Sequence, residues 1–265
     1  MSGWREKLAE AGFALAVFCV VAASSLFLLI TDYRSLSDGG AYAPPSGGQV
    51  TMNRPAPGDQ TRPYLPTARP VAPGRSLPDG RNRTQPGEAS PMRFTISGGK
   101  IVASGTIAPG TALEFTRFLE SEAYGAAGPG EIALHSPGGV VDEAIALARR
   151  IREEGLNTRI EPEAYCASSC PLVFAAGVER IAHPDAWIGV HQAFAAAGSF
   201  GSLQDGIASA QRVAASAQDL LHGFGVDAHV WTFAMRTPKE QIYFFTAEQL
   251  LEFKLATRID PDTAA

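Results

Sequence analysis

Ser136-Pro137-Gly138-Gly139, Cys166-Ala167-Ser168-Ser169-Cys170 and Val190-His191-Gln192 bring together the residue types that acyl transfer needs. Paired glycines let a backbone turn tightly and present N–H groups to a developing negative charge. A serine on a turn is a candidate nucleophile, and histidine is the side chain best suited to take its proton near neutral pH. The candidates are Ser168 as nucleophile, His191 as base, and the Gly139 and Ser169 N–H groups as donors to an oxyanion. The same residues also fit a Gly-rich structural turn, a serine cap and a hydrogen-bonded core histidine, so their order and spacing carry the information.

Elements that could position these groups follow from the pattern around them. Arg93-Phe94-Thr95-Ile96 and Lys100-Ile101-Val102-Ala103, joined across Ser97-Gly98-Gly99, predict a β-hairpin. A helix is expected over 111–122 and a strand over 131–135. Gly138-Gly139 then opens a second helix, with Val140, Ala144, Leu147, Ala148 and Ile151 on one face. Asp142 and Glu143 in its first turn, and Arg149, Arg150 and Arg152 towards its end, suit the helix dipole, and Gly155 can stop it. Strands over 157–163 and 187–194, a short helix over 169–177 with Pro171 early in it, and a long alanine-rich helix over 202–221 complete the pattern. Strands alternating with helices give an α/β layered domain, whose ligand sites lie at the carboxyl ends of strands, where the Ser-Pro-Gly-Gly loop falls.

The rest of the chain divides by composition. Residues 1–10 precede an uncharged apolar run over 11–30, long enough as a helix to cross a bilayer. A cleaved signal peptide is the rival reading, with Val21-Ala22-Ala23 as the cleavage site, but Leu26 to Ile30 prolong the run as a retained anchor would. Phe18 before Cys19 disfavours lipidation of that cysteine. Arg5 and Lys7 before the run, against Arg34 after it, place the N-terminus in the cytoplasm and the remainder outside, in the periplasm of a Gram-negative host. Residues 31–91 hold eleven of the 19 prolines and few large apolar residues, which predicts a disordered, extended linker ahead of a folded domain over 92–265. A formal charge of −5 without a basic stripe argues against nucleic acid as partner.

The block from Ser136 to His191 resembles the proteolytic subunit of the Clp protease, within the Clp/crotonase superfamily. In that family Ser-Pro-Gly-Gly forms the oxyanion loop, an Ala-Ser step bears the nucleophile and Ile-His-Gln carries the base. Ala167-Ser168 matches the nucleophile step, and the ungapped run to Ala175-Ala176-Gly177 selects Ser168 over Ser169. Val190-His191-Gln192 matches the base segment after a two-residue shortening, and 246–255 resembles the family's closing helix. Thr246 with Gln249 independently forms a capping-box pattern. The likeness covers most of 130–259, although 195–240 matches only as a helix, and it is greatest to membrane-anchored periplasmic members sharing the Cys-Ala-Ser-x-Cys-Pro step. It implies a Clp/crotonase-like spiral of repeated ββα units, a serine hydrolase acting on peptide or protein, anchored in the inner membrane, with no metal and no cofactor. Relatives form trimers or larger rings through helices like 202–221, so a homo-oligomer is one expectation, and packing of that alanine-rich stripe within the monomer is the other.

Departures from the family pattern matter as much. The aspartate that orients the histidine in the Clp subunit falls on Ile242 here, and Glu240, two residues away, is the only candidate third member. A backbone carbonyl could hold the imidazole instead, leaving a Ser–His dyad; alternatively the site has decayed into a scaffold or peptide-binding groove. A crotonase-type acyl-CoA enzyme shares the oxyanion architecture but needs neither Ser168 nor His191. His135 stands where the family usually has Asn, His183 reads as a loop residue, and His222 and His229 show no metal-ligand spacing. Cys166 and Cys170 bracket Ser168 at a spacing close to the permitted disulfide range, and an oxidising compartment would join them. Two buried thiols are the rival.

Overall fold

In the computed structural model the described residues are 15, 18–30, 49–66, 69–71, 90–128, 130–194 and 202–261. Two compact units result, 1–44 and 45–265. In the first, residues 18–30 are helical and Phe18, Phe27, Leu28 and Leu29 are exposed; no described helix is long and apolar enough to cross a membrane. Most of 1–17, where the cytoplasmic terminus and the start of the apolar run were expected, lies outside the described residues.

The second unit is mixed α/β, and its strands, in chain order, are β1 (Gln49–Thr51), β2 (Thr61–Pro63), β3 (Arg69–Val71), β4 (Arg93–Ser97), β5 (Lys100–Ser104), β6 (Glu131–His135), β7 (Asn157–Ile160), β8 (Tyr165–Ala167), β9 (Arg180–Ala182), β10 (Trp187–Val190), β11 (Gln241–Phe244) and β12 (Arg258–Ile259). One sheet runs β12-β9-β7-β6-β5-β4 and a second β2-β11-β10-β8, while β1 and β3 pair with each other. The β4–β5 hairpin closes across Gly98-Gly99, with Ser97 opposite Lys100. From β5 to β12 the large sheet is parallel, as strands separated by helices require.

Helices cover this sheet. Val141–Glu153 buries Ala144, Ile145, Leu147, Ala148 and Ile151 against a core that includes Ile101, Ile132, Leu134, Ile160, Val173 and Phe174. Val140, expected on that face, is instead the N-cap residue and 40% exposed. Glu143 accepts the N–H groups of Gly110 (2.9 Å) and Ala112 (3.1 Å), tying this helix to the start of Thr111–Leu119. Arg152 reaches the Gly177 carbonyl at 3.0 Å and lies 4.5 Å over the Phe224 ring. At the far end Thr246 and Gln249 form the expected reciprocal cap of Ala247–Glu252.

Several boundaries differ from expectation. β7 stops at Ile160 rather than 163, because Pro162 has no N–H to give the ladder and Glu163 takes a positive φ of 56°. β10 stops at Val190 rather than 194, so His191 lies just beyond its carboxyl end. The short helix spans Cys170–Phe174 and the long one Leu203–Gly223.

The larger correction concerns the linker. Residues 49–66 are not a disordered tether, and the folded unit begins well before residue 92. β2 adds antiparallel to the edge of β11, with Gln241 opposite Pro63 and Tyr243 opposite Thr61. Arg54 pairs with Glu163 and with Asp185 (3.2 Å), and its guanidinium lies 4.9 Å from the Trp187 ring centroid. Gln60, 8% exposed, donates to the Tyr243 hydroxyl (2.6 Å) and to Gln249 (2.7 Å), and Leu65 is 2% exposed. Apolar composition undercounted this segment because backbone pairing and a few anchored side chains, rather than a hydrophobic face, hold it. Residues 31–48, 67–68 and 72–89, the rest of the expected linker, lie outside the described residues.

Candidate active site

All three sequence segments emerge at carboxyl ends of strands, β6 in the large sheet and β8 and β10 in the second, with a single bridge between Ser136 and Cys166 joining the two. The Ser136 N–H donates to the Tyr165 carbonyl (2.7 Å) and Ala167 N–H to the Ser136 carbonyl (3.0 Å), joining the end of β6 to β8. β10 runs parallel to β8 with Gly189 opposite Ala167. Ser168 follows β8, Ser169 caps the Cys170–Phe174 helix, and the Ser168 N–H donates to the Gly189 carbonyl at 3.0 Å. Two residues beyond Gly189, His191 therefore arrives beside Ser168.

Ser168 holds a left-handed backbone, φ 62°, which costs a non-glycine residue energy and lifts its side chain off the end of the strand. The Cys166–Cys170 disulfide, Cα–Cα 5.2 Å, spans that turn, as the oxidised alternative anticipated. Both its residues are fully buried.

Ser168 Oγ lies 2.8 Å from His191 Nε2, and His191 Nδ1 lies 2.9 Å from the Lys239 carbonyl oxygen. A carbonyl can only accept, so Nδ1 carries the hydrogen and Nε2 is the acceptor facing Ser168. His191 is 3% exposed, and burial pushes its pKa below the ordinary histidine value against the backbone groups of Lys239 and Gln241 and the charge of Glu240. The imidazole is therefore neutral near pH 7, the form a general base requires.

Gly138 and Gly139 fit their places because neither has a side chain. A Cβ on Gly138 (φ 95°) would lie 2.5 Å from Ser168 Cβ, and one on Gly139 (φ 148°) 2.1 Å from the Ile107 carbonyl oxygen. The loop is held by Ile107 N–H to the Gly138 carbonyl (2.9 Å) and Val140 N–H to the Ile107 carbonyl (2.8 Å). Gly138 N–H is used on Ser136 Oγ (3.1 Å), whereas the Gly139 and Ser169 N–H groups have no acceptor among the described residues. The Ser169 hydroxyl donates to the Gly139 carbonyl at 3.2 Å, linking the two segments that carry those free donors.

Other expected residues fall elsewhere. Glu240 does not reach the imidazole: its side chain is 64% exposed and pairs with Lys239. Ile242 is fully buried in a small cluster with Tyr165, Trp187 and Phe244. It is the Lys239 carbonyl, not a carboxylate, that accepts from His191 Nδ1. His135 Nδ1 accepts the Tyr165 N–H at 3.0 Å, and His183 Nδ1 accepts the Asp185 N–H at 2.9 Å in its loop. Among the described residues no three His, Cys, Asp or Glu side chains come together as metal ligands.

One site residue escaped the sequence reading. Tyr64, directly after β2, places its ring 4.2 Å from that of His191 and donates its hydroxyl to the Pro137 carbonyl at 2.7 Å. Burial raises its pKa to about 12, offset in part by a hydrogen bond with the Ser168 side chain. Its one signal was Tyr64-Leu65, the only place in 31–91 where two large aromatic or aliphatic residues adjoin. On the other side Phe194, 58% exposed, meets the His191 ring edge-on at 5.8 Å.

No protein-family model and no curated protein matches this chain. What the site can do is read from its geometry: a hydroxyl poised on a neutral imidazole, next to two backbone donors, can attack a carbonyl carbon.

Proposed function

We propose that this chain is a serine hydrolase of Clp/crotonase-like fold, a peptidase tethered to the inner membrane by the apolar run over 11–30 with its 45–265 unit in the periplasm. The single observation that carries the reading is the 2.8 Å contact of Ser168 Oγ with an imidazole whose other nitrogen is fixed by the Lys239 carbonyl. Ser168 Oγ attacks the substrate carbonyl carbon while its proton passes to His191 Nε2. The oxygen that gains the electron pair is received by the Gly139 and Ser169 N–H groups. Collapse of that intermediate breaks the C–N bond, and His191 returns the proton to the leaving amine. Water, deprotonated by His191, then releases the acyl group from Ser168. The Lys239 carbonyl keeps the imidazole in the productive tautomer but supplies no negative charge to the imidazolium, so turnover should be slower than in a carboxylate-supported triad.

The apolar run over 11–30, the charge bias around it and the Cys166–Cys170 disulfide support the membrane and compartment assignment. Self-association through Leu203–Gly223, where Ile207 is 52% exposed, belongs to the same proposal. A second reading, a peptide-binding module without turnover, draws on the absence of a carboxylate at Ile242. Incubation of the full chain and its Ser168→Ala variant with a library of unstructured peptides, read by mass spectrometry, separates the two. Cleavage by the native chain alone supports the hydrolase. Peptide retention by both proteins without cleavage by either overturns it in favour of the binding module.

A further inference from the structure

The Lys239 carbonyl that orients His191 lies in a stretch whose side chains cannot anchor it: Lys239, Glu240 and Gln241 are all exposed. Its position is fixed through the backbone. Gln241 N–H turns back on the Pro238 carbonyl (2.9 Å), and from the other side the Tyr64 N–H donates to the Glu240 carbonyl at 2.9 Å. β2 continues that pairing along β11, locked by the Gln60–Tyr243–Gln249 hydrogen bonds. The same Tyr64 touches the other two parts of the site. Its ring covers His191 at 4.2 Å and its hydroxyl holds the Pro137 carbonyl, one residue before the Gly138 that packs on Ser168. A residue needed only for packing would use its ring; here N–H, ring and hydroxyl each engage a different component. Nor does the docked strand block the nucleophile, since Ser168 stays half-buried.

We propose that Tyr64 is a positioning residue that completes this site, holding the Lys239 carbonyl, the His191 ring and the Ser-Pro-Gly-Gly loop in register in place of the missing carboxylate. The proposal rests on the hydrolase reading, and it adds Tyr64, from a segment expected to be linker, to the groups that position the site.

The test uses the full chain in detergent, with Tyr64→Phe, Tyr64→Ala and, as a control on the same strand, Thr61→Ala, whose side chain is exposed. Three quantities are read with a fluorophosphonate probe: the fraction of chains labelled at completion, the second-order rate constant, and its pH midpoint. The His191 imidazole, which faces Tyr64, Phe194, Ser168, Lys239, Glu240 and Gln241, is titrated separately by NMR. Tyr64→Phe, which loses the hydroxyl alone, should slow labelling about tenfold, the scale of one buried hydrogen bond. Tyr64→Ala should slow it about a hundredfold and move the pH midpoint and the His191 titration up towards roughly 6.5 as water reaches the ring. Thr61→Ala should match the native chain in all readings. The proposal is overturned by Tyr64→Ala labelling at the native rate with an unmoved His191 titration, or by a loss confined to the labelled fraction. If Tyr64→Ala does not fold, Tyr64→Phe decides by its rate. If the native chain does not react at all, the hydrolase reading fails, and the His191 titration alone decides for or against Tyr64.

Discussion

His191 carries a proton only against its surroundings, because burial penalises the imidazolium more than the backbone groups and Glu240 favour it. The neutral ring is the reactive one, so probe labelling of Ser168 should rise with pH, reach half its maximum below the ordinary histidine value of about 6.5 and stay flat above it. A midpoint above that value would contradict the burial argument. The sign for stability is the same: a depressed folded-state pKa means the unfolded chain binds the proton first, so His191 costs stability as pH falls through about 6.5 and no more once the folded form is protonated. Gly138 makes a second prediction. With φ 95° and a would-be Cβ 2.5 Å from that of Ser168, Gly138→Ala should cost about 2 kcal/mol or more in a denaturant titration and abolish labelling. Native-like labelling in that variant would mean the loop does not lie on the nucleophile turn. Order and spacing, rather than residue type, made Ser168, His191 and the glycine pair legible as candidates, because each type alone is common. Tyr64 was hidden, because one aromatic–aliphatic pair among prolines does not say which distant strand it will meet.

Between residues and fold, the elements that position the site are short. β8 has three residues and the helix after it five, so the turn between them relies on its disulfide. Closing so small a loop is worth about 2 kcal/mol in the chain-entropy account. Cys166→Ser with Cys170→Ser should therefore lower stability by that order and slow labelling, because Ser168 must still hold its left-handed backbone. Denatured, unreduced protein should show one free thiol, Cys19, of the three cysteines; three free thiols would remove the disulfide from the account. Periodicity identified the hairpin and the Val141–Glu153 helix because both bury one continuous face. Strand ends were misjudged where the chain leaves the ladder for chemistry or for proline, at His191 and at Pro162. β2 had no pattern to find, since its hydrogen bonds come from the edge of a strand some 180 residues later.

On the scale of the whole molecule, the 45–265 unit carries its own candidate site, and the segment 49–66 is one wall of it. Removing residues 1–48 should leave thermal unfolding of this unit unchanged. Removing 1–89 takes away β2, Tyr64, Leu65 and Arg54, uncovers the Trp187 and Phe244 cluster, and should lower the melting temperature by about 10 °C or more. Equal melting temperatures for the two truncations would return 49–66 to the status of a tether. The alternation of strand and helix patterns gave the α/β class, and the uncharged run over 11–30 stood out as a local average. Composition misplaced the domain boundary, because a handful of specific contacts outweighed a proline-rich average. Everything functional turns on Ser168 being a nucleophile driven by His191. Intact-mass and peptide mapping after fluorophosphonate treatment measures that directly. One adduct per chain on the peptide containing Ser168, lost in both Ser168→Ala and His191→Ala, is the predicted result. An adduct on another residue, or one on Ser168 that persists at full rate in His191→Ala, would contradict it.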